Sequence, residues 1–241
     1  MVARTSDSAG RPTTDRVKHI FSTIAPEYDR FNQLSSLGID RLWRRRTVDL
    51  ARLRRSSEVL DLAAGTGDLT MALATRGRPA RVLSTDFVPE MLEVGRQKAT
   101  AYAGETTIEF EVVDAQDLPF PDESFDVVTI AFGVRNLPDR AANFREVHRV
   151  LRPGGRYVVL EFSRPPFPLF RMAYHFYLRT VIPFLGGRLT GDRDSFQYLN
   201  DAILAYPGQV ALAGELHRAG FGEVRWHNHT VGIVAVHVAV K

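Results

Sequence analysis

Between residues 58 and 162, short β-rich runs alternate with stretches of helical character. The runs are EVLDLA (58–63), RVLSTDF (81–87), TIEFEVV (107–113), FDVVTIAF (125–132) and GRYVVLEF (155–162), and helices are expected from about Thr66, from Pro89 and from Asp139. Parallel neighbours need a long crossover between them, and a helix supplies it, so this rhythm predicts one parallel sheet covered by helices. Two features break it. Residues 164–206 carry helical, aromatic-rich sequence, and the chain closes with two adjacent strands, EVRWHNHT (223–230) and GIVAVHVAV (232–240). A tight connection at Val231 and Gly232 makes that last pair antiparallel. Before the first strand, apolar residues at helical spacing (Val17, Ile20, Phe21, Ile24, then Leu42, Trp43, Val48, Leu50) are interrupted by Pro26 and Gly38, which predicts two or more helices. Residues 1–15 are polar and turn-rich and are expected to form a disordered tail. The remaining 16–241 suffice for one core: a single domain with N-terminal helices over 16–55 and a helical lid inserted at 164–206.

The first strand runs into VLDLAAGTGD (59–68). A glycine turn that leaves a strand and opens a helix lies where doubly wound sheets bind ligands, and glycine lets the backbone turn sharply and approach something closely. A dinucleotide fingerprint counted from Gly65 and Gly67 needs a small third residue at position 70, where this chain has Thr70; NAD is disfavoured. A phosphate cradle ends in Gly-Lys-Ser/Thr, whereas residues 58–75 hold no lysine or arginine and three acids, Glu58, Asp61 and Asp68. Such a loop suits a cation. Asp86 ends the second strand, where a carboxylate accepts from ribose hydroxyls. Asp114 follows the third strand, an acceptor for an adenine amino group, and Ala115 beside it is small enough to admit the ring. Ribose, adenine and a positive sulfur without phosphate are the parts of S-adenosylmethionine. Any one of these acids would read equally well as a turn or cap residue; the ordered set Asp61, Gly65, Gly67, Asp86 and Asp114 points to the cofactor.

Over residues 57–160 this set resembles the class I S-adenosylmethionine-dependent methyltransferases. Longer segments narrow the resemblance: FSTIAPEYDRFNQLSSLGIDRLWRR (21–45), AFGVRNLPDRAANFREVHRVLRPGG (131–155), GDRDSFQYLNDAI (191–203) and GIVAVH (232–237) are similar to signature segments of the ubiquinone/menaquinone biosynthesis C-methyltransferases. The resemblance implies an α/β, Rossmann-like fold with a mostly parallel seven-stranded sheet, a C-terminal antiparallel hairpin and added N-terminal helices. It implies methyl transfer from S-adenosylmethionine to a ring carbon of a polyprenylated quinol. That quinol is demethylmenaquinol, giving menaquinol, with a ubiquinone-precursor benzoquinol or another small molecule or lipid as the alternatives. Cofactor contacts are implied at Thr66, Asp86, Asp114, Ala115 and Ala131, the last standing where the family more often has serine. Arg135 and Asn136 of GVRN, with Tyr28, are implied at the substrate. In the closing segment His229, Val231, Val238 and Ala239 occupy places where leucine and glycines are more frequent in the family, which bears on substrate choice.

A quinol carbon attacks a sulfonium methyl far better once the adjacent hydroxyl has ionised. With a tyrosine-like pKa of ~10, that ionisation costs roughly 4 kcal/mol at pH 7, and a desolvated arginine offsets much of it. Arginine as general base would first need its own deprotonation, about 7 kcal/mol, so Arg135 is expected to stabilise charge. Asn136 and Tyr28 are expected to hydrogen-bond the quinol oxygens, directly or through water, and Tyr198 to help cover the pocket. The plainer readings are a strand-to-helix turn for Arg135 and Asn136, and core packing for Tyr28.

The +3 net charge is mild. A nucleic-acid methyltransferase is disfavoured because no Asn/Asp-Pro-Pro-aromatic motif follows the fourth strand and the chain has no cysteine for attack on cytosine; no nucleic-acid partner is expected. A non-catalytic cofactor-binding protein is the other rival, opposed by the intact loop with Arg135 and Asn136. The seven histidines show no dense ligand spacing, and no metal is expected. No apolar run reaches the ~20 residues of a membrane span, so the expected location is cytoplasmic, peripheral on the inner face of the membrane. Seven arginines between 41 and 55 and the apolar stretch 167–185 leave two readings each. The arginines form a solvated face or a transient contact with anionic lipid; the apolar stretch is a helix buried on the sheet or in a homodimer, or a lid that grips the isoprenoid tail or leans on lipid.

Overall fold

The computed structural model describes residues 14–24, 28–181 and 200–241. Its strands are β1 (Glu58–Leu62), β2 (Arg81–Asp86), β3 (Thr107–Val112), β4 (Phe125–Ala131), β5 (Leu151–Phe162), β6 (Glu223–His229) and β7 (Val234–Val240). They form one sheet in the order β3-β2-β1-β4-β5-β7-β6, parallel from β3 to β5 and antiparallel at β7 and β6. β1 and β2 are buried along nearly their whole length because helices cover both faces. The edge strand β3 stays half-buried or exposed. The chain leaves β1 toward β2 on one side and later returns as β4 on the other, which opens a crevice at their carboxyl ends.

The helices are α1 (Thr14–Ile24), α2 (Tyr28–Ser35), α3 (Asp40–Ala51), α4 (Asp68–Ala72), α5 (Pro89–Ala99), α6 (Arg140–Val150), α7 (Pro168–Phe176) and α8 (Gln209–Arg218). One face of the sheet packs Leu60, Val128 and Val159 against Phe144 and Val147 of α6 and Leu216 of α8. The other packs Val59, Val127 and Val158 against Trp43 and Val48 of α3 and Leu73 beyond α4. A third cluster joins Val17, Ile20 and Phe21 of α1 to Met91 of α5 and Tyr174 of α7.

Several boundaries differ from the sequence expectation. The first crossover helix starts at Asp68 rather than Thr66, because Gly65 (φ 57°) and Gly67 (φ 78°) are left-handed and cannot continue a helix. β5 begins at Leu151, which pairs with Phe125 before the register shifts at Val127. α8 was not among the expected elements; Leu212 and Leu216, a turn apart, bury one of its faces. α1 begins at Thr14, two residues inside the expected tail, while residues 1–13, the central part of the 164–206 segment and Tyr198 lie outside the described residues. The final hairpin turns through three positive-φ residues, Thr230, Val231 and Gly232. Two of them are β-branched, a strained choice, fastened where Trp43 donates its indole N–H to Thr230 Oγ1 at 2.8 Å.

Beneath the glycine loop, Asp61 is wholly buried. Its oxygens accept from Thr129 Oγ1 of β4 (2.6 Å) and Thr70 Oγ1 of α4 (2.7 Å), and Thr70 also meets Ser84 Oγ of β2 at 2.9 Å. Desolvation pushes Asp61 up to about 6 against the pull of those two hydroxyls. Thr129→Val, nearly isosteric, is expected to lower stability by about 1–3 kcal/mol at pH 7, read by urea unfolding. The hydroxyl favours the ionised carboxylate, so its contribution is present above about pH 6 and lost as pH falls through that value. Equal losses at pH 5 and pH 7 would contradict this role.

Candidate active site

The carboxyl ends of β1, β2, β3 and β4 converge on a cavity of about 940 Å³, its open mouth included. Its floor is the loop from Ala63 to Thr66. Asp86 and Phe87 follow β2, Asp114 and Ala115 follow β3, and Ala131, Phe132 and Asn136 follow β4. Val17 and Phe21 of α1, Tyr28 of α2 and Arg44 of α3 complete the wall. Of the described candidate residues from the sequence, all border this space except Gly67 and Arg135. Gly67 instead starts α4, accepting the amide of Met71, and lies so close to α5 that a Cβ there would meet Gly95 Cα at 3.3 Å.

Asp86 is nine-tenths buried and accepts from the N–H of Gly65 (2.8 Å) and of Val88 (2.9 Å). Burial raises it to about 6 despite these bonds. The loop is therefore tied to the end of β2 by the same carboxylate that faces the cavity. Asp114 is exposed and accepts from the Gln116 amide at 2.9 Å. Ala115 is buried, and its carbonyl is held by Asn143. Arg44 is the one cation on the cavity wall among the described residues; Asp40 and Asp68 pair with it, and it lies 5.8 Å from the Phe132 ring centre.

α2 is fastened to the glycine loop. Asp29 accepts from Thr66 Oγ1 at 2.5 Å and pairs with Lys98 Nζ at 2.5 Å, and Lys98 also binds Asp68 at 2.7 Å. The neighbouring Tyr28 packs edge-on to Phe21 at 5.9 Å. Burial raises its phenol above the ordinary value, while Arg135 and Arg44 pull the other way. It is a protonated donor at neutral pH.

Arg135 sits in a short 3-10 turn, Val134–Asn136, with its guanidinium turned off the cavity wall. Nη1 reaches Glu161 Oε1 at 2.7 Å and the Phe132 carbonyl at 2.5 Å; the side chains of the pair are 5% and 1% exposed. The charge lies 5.9 Å and 5.3 Å from the ring centres of Phe132 and Phe162. Glu161 also accepts the Arg135 backbone N–H at 3.3 Å, and burial raises its carboxyl. Asn136 stays on the wall with its Oδ1 buried and, among the described residues, unpartnered.

Glu161, Asp29 and Arg44 were absent from the sequence-derived set. Glu161 had a signal: one acid in the apolar run VVLEF must find a buried partner. Arg44 is one arginine in a run of them, and nothing local marks Asp29. Among the described residues no three His, Asp or Glu side chains cluster as a metal site.

A model of the ubiE/COQ5 methyltransferase family matches residues 11–241. The chain is 47% identical to a demethylmenaquinone methyltransferase of Thermus thermophilus, over 91% of this chain and 98% of the relative. It is 42% identical to a ubiquinone/menaquinone biosynthesis C-methyltransferase of Geotalea daltonii, over 94% and 97%. Among solved structures it resembles an S-adenosylmethionine-dependent methyltransferase of Thermotoga maritima with a TM-score of 0.65 at 18% identity, covering 92% of this chain and 98% of that one, a likeness of fold.

Asp29→Asn weakens two of the bonds that hold α2 down. Amide hydrogen exchange over Tyr28–Ser35 is expected to quicken roughly fivefold, the equivalent of about 1 kcal/mol, with exchange in β1 unchanged. Unaltered exchange in α2 would show that Asp29 does not fasten it.

Proposed function

The chain belongs to the ubiE/COQ5 methyltransferase family, and on that footing we propose that it transfers a methyl group from S-adenosylmethionine to a ring carbon of a polyprenylated quinol, converting demethylmenaquinol to menaquinol. The observation that carries this reading is the make-up of the cavity wall. The loop and strand ends present carboxylates and small residues, the one cation among the described lining residues is the ion-paired Arg44, and aromatic and apolar side chains of α1, α2 and the residue after β2 also line the space. That donor set fits adenosine bearing a positive sulfur and does not fit a polyphosphate.

In this reading Asp86 addresses the ribose, Asp114 the adenine amino group, and Ala115 leaves room for the ring. Thr66 and the backbone of Gly65 lie against the amino-acid portion, and the buried Asp61 supplies negative potential beneath it. Ala131 adds no hydrogen bond. The cofactor supplies an electrophilic methyl group. Phe21, Phe87 and Phe132 offer flat apolar surface to a quinol ring, and Tyr28 and Asn136 bring a hydroxyl and an amide to its oxygens. The Asn136 Oδ1, unpartnered among the described residues, is an acceptor for a quinol hydroxyl.

Arg135 acts from behind the wall. Its ion pair with Glu161 fixes the turn that carries Phe132 and Asn136. Its charge is still felt at the Tyr28 oxygen, whose ionisation it favours. Tyr28 is a phenol built into the site, so the same field lowers the cost of a quinolate beside it. The buried carboxylate at 2.7 Å keeps the guanidinium charged, which again argues for stabilisation of charge over base catalysis.

The purified protein, given isotope-labelled S-adenosylmethionine and reduced demethylmenaquinone, should yield a product heavier by one methylene, followed by mass spectrometry. Exclusive methylation of the ubiquinone-precursor quinol would redirect the assignment, and no methylation of either would overturn it. Arg135→Gln is expected to lower kcat about 100-fold or more while calorimetric binding of S-adenosylmethionine changes by less than about threefold. A normal rate in that variant would remove the electrostatic role.

A further inference from the structure

α7 has two unlike faces. Inward, Tyr174 joins Val17, Phe21 and Tyr28 in the cluster that backs the cavity wall, with Leu178 one turn on. Tyr177, just past the helix, donates to the Ser35 carbonyl at 3.0 Å, binding this segment to the end of α2. Outward, Phe167, Leu169, Met172 and Phe176 are 62%, 76%, 66% and 66% exposed. The last three follow helical spacing and form one stripe. Leu37, two residues past Ser35 in the turn after α2, is 84% exposed.

Beside that stripe runs a basic one. Arg171, His175 and Arg179 recur every four residues and share a shallow groove with Met172 and Phe176. Burial lowers the pKa of His175, and the nearby charges of Arg179, Arg171 and Arg164 lower it further. No aspartate or glutamate occurs from residue 162 to 191. Among the described residues, none of these three arginines has an ion-pair partner. α3, the other arginine-rich segment, carries Asp40 and Asp49 among its arginines; its Arg44 is buried against Asp40 and Asp68, and Arg55 beyond it pairs with Glu105.

We propose that the outer face of α7 docks on the anionic surface of a lipid bilayer, the apolar stripe entering the headgroup boundary and the basic stripe meeting lipid phosphates. The pairing of large apolar side chains with an adjoining acid-free basic row is the make-up of an interfacial helix. A second copy of the chain fits less well, because a two-fold contact through this face would set arginine against arginine. The proposal rests on the quinol reading: a polyprenyl tail keeps its ring near the bilayer, and docking by α7 brings the wall formed by α1 and α2 to that surface.

The test uses the full chain with phosphatidylcholine vesicles, with and without phosphatidylglycerol, in a flotation assay. Wild type should bind the anionic vesicles at least about tenfold more tightly, and salt should weaken this. Leu169→Ser/Met172→Ser/Phe176→Ser and, separately, Arg171→Glu/Arg179→Glu should each lose about tenfold or more of that binding. Both should methylate a short-tailed quinol in solution at the wild-type rate, and both should fail on a long-tailed quinol held in vesicles. Equal binding of wild type to neutral and anionic vesicles, variants that float like wild type, or a dimer abolished by the serine substitutions would each overturn docking. If wild type floats with anionic vesicles yet methylates no quinol of either length, the quinol reading fails while the surface assignment stands.

Discussion

A buried carboxylate with no ion-pair partner among the described residues is the constraint on which the ligand side of this protein depends. Asp61 is held by hydroxyl groups from α4 and β4, with Ser84 of β2 linked through Thr70. Burying a charge in this way is costly, and the rise of its pKa to about 6 registers that cost. The consequence is geometric. Three strands and the first crossover helix meet at one point, and the chain leaves β1 by left-handed residues at Ala63, Gly65 and Gly67. That path aims the Gly65 amide at Asp86, so the second carboxylate of the cavity takes its place from the first.

The N-terminal helices are part of the same arrangement. Asp29 binds the hydroxyl of Thr66 and the ammonium of Lys98, so α2 and its Tyr28 are positioned by the loop that forms the cavity floor. Arg44 joins from α3 through Asp68, which also takes Lys98. Alternating charges on α2, α3, α4 and α5 thus close one side of the cavity. The pairs of Lys98 with Asp29 and Asp68 are partly exposed and individually weak, whereas Arg44 is buried against Asp40.

Arg135 and Glu161 follow different energetics. A pair this deeply buried gives up hydration on both sides, and an apolar replacement of equal volume would often be as stable. Its value lies in what it fixes: the backbone of the turn after β4, the Phe132 carbonyl, and a positive charge sensed at Tyr28. The two phenylalanine rings flanking the guanidinium keep water away and let that charge act over distance.

The sheet, its antiparallel ending and the strand-end residues that border the cavity were legible in the order of residues alone. β-rich runs and crossovers have a period that can be read directly, and in a parallel sheet the residues at the carboxyl ends of the strands must converge. That is why Asp61, Gly65, Asp86, Asp114 and Ala131 could be gathered from positions far apart in the chain. Four features became visible only once the chain had folded: Arg135 lies behind the wall on Glu161, Asp29 fastens α2, Arg44 is the buried member of its arginine run, and α8 seals one face of the sheet. Each depends on a partner distant in the chain or on another element's surface. The direction of a side chain toward such a partner is set by packing, which leaves no periodic trace in the local sequence.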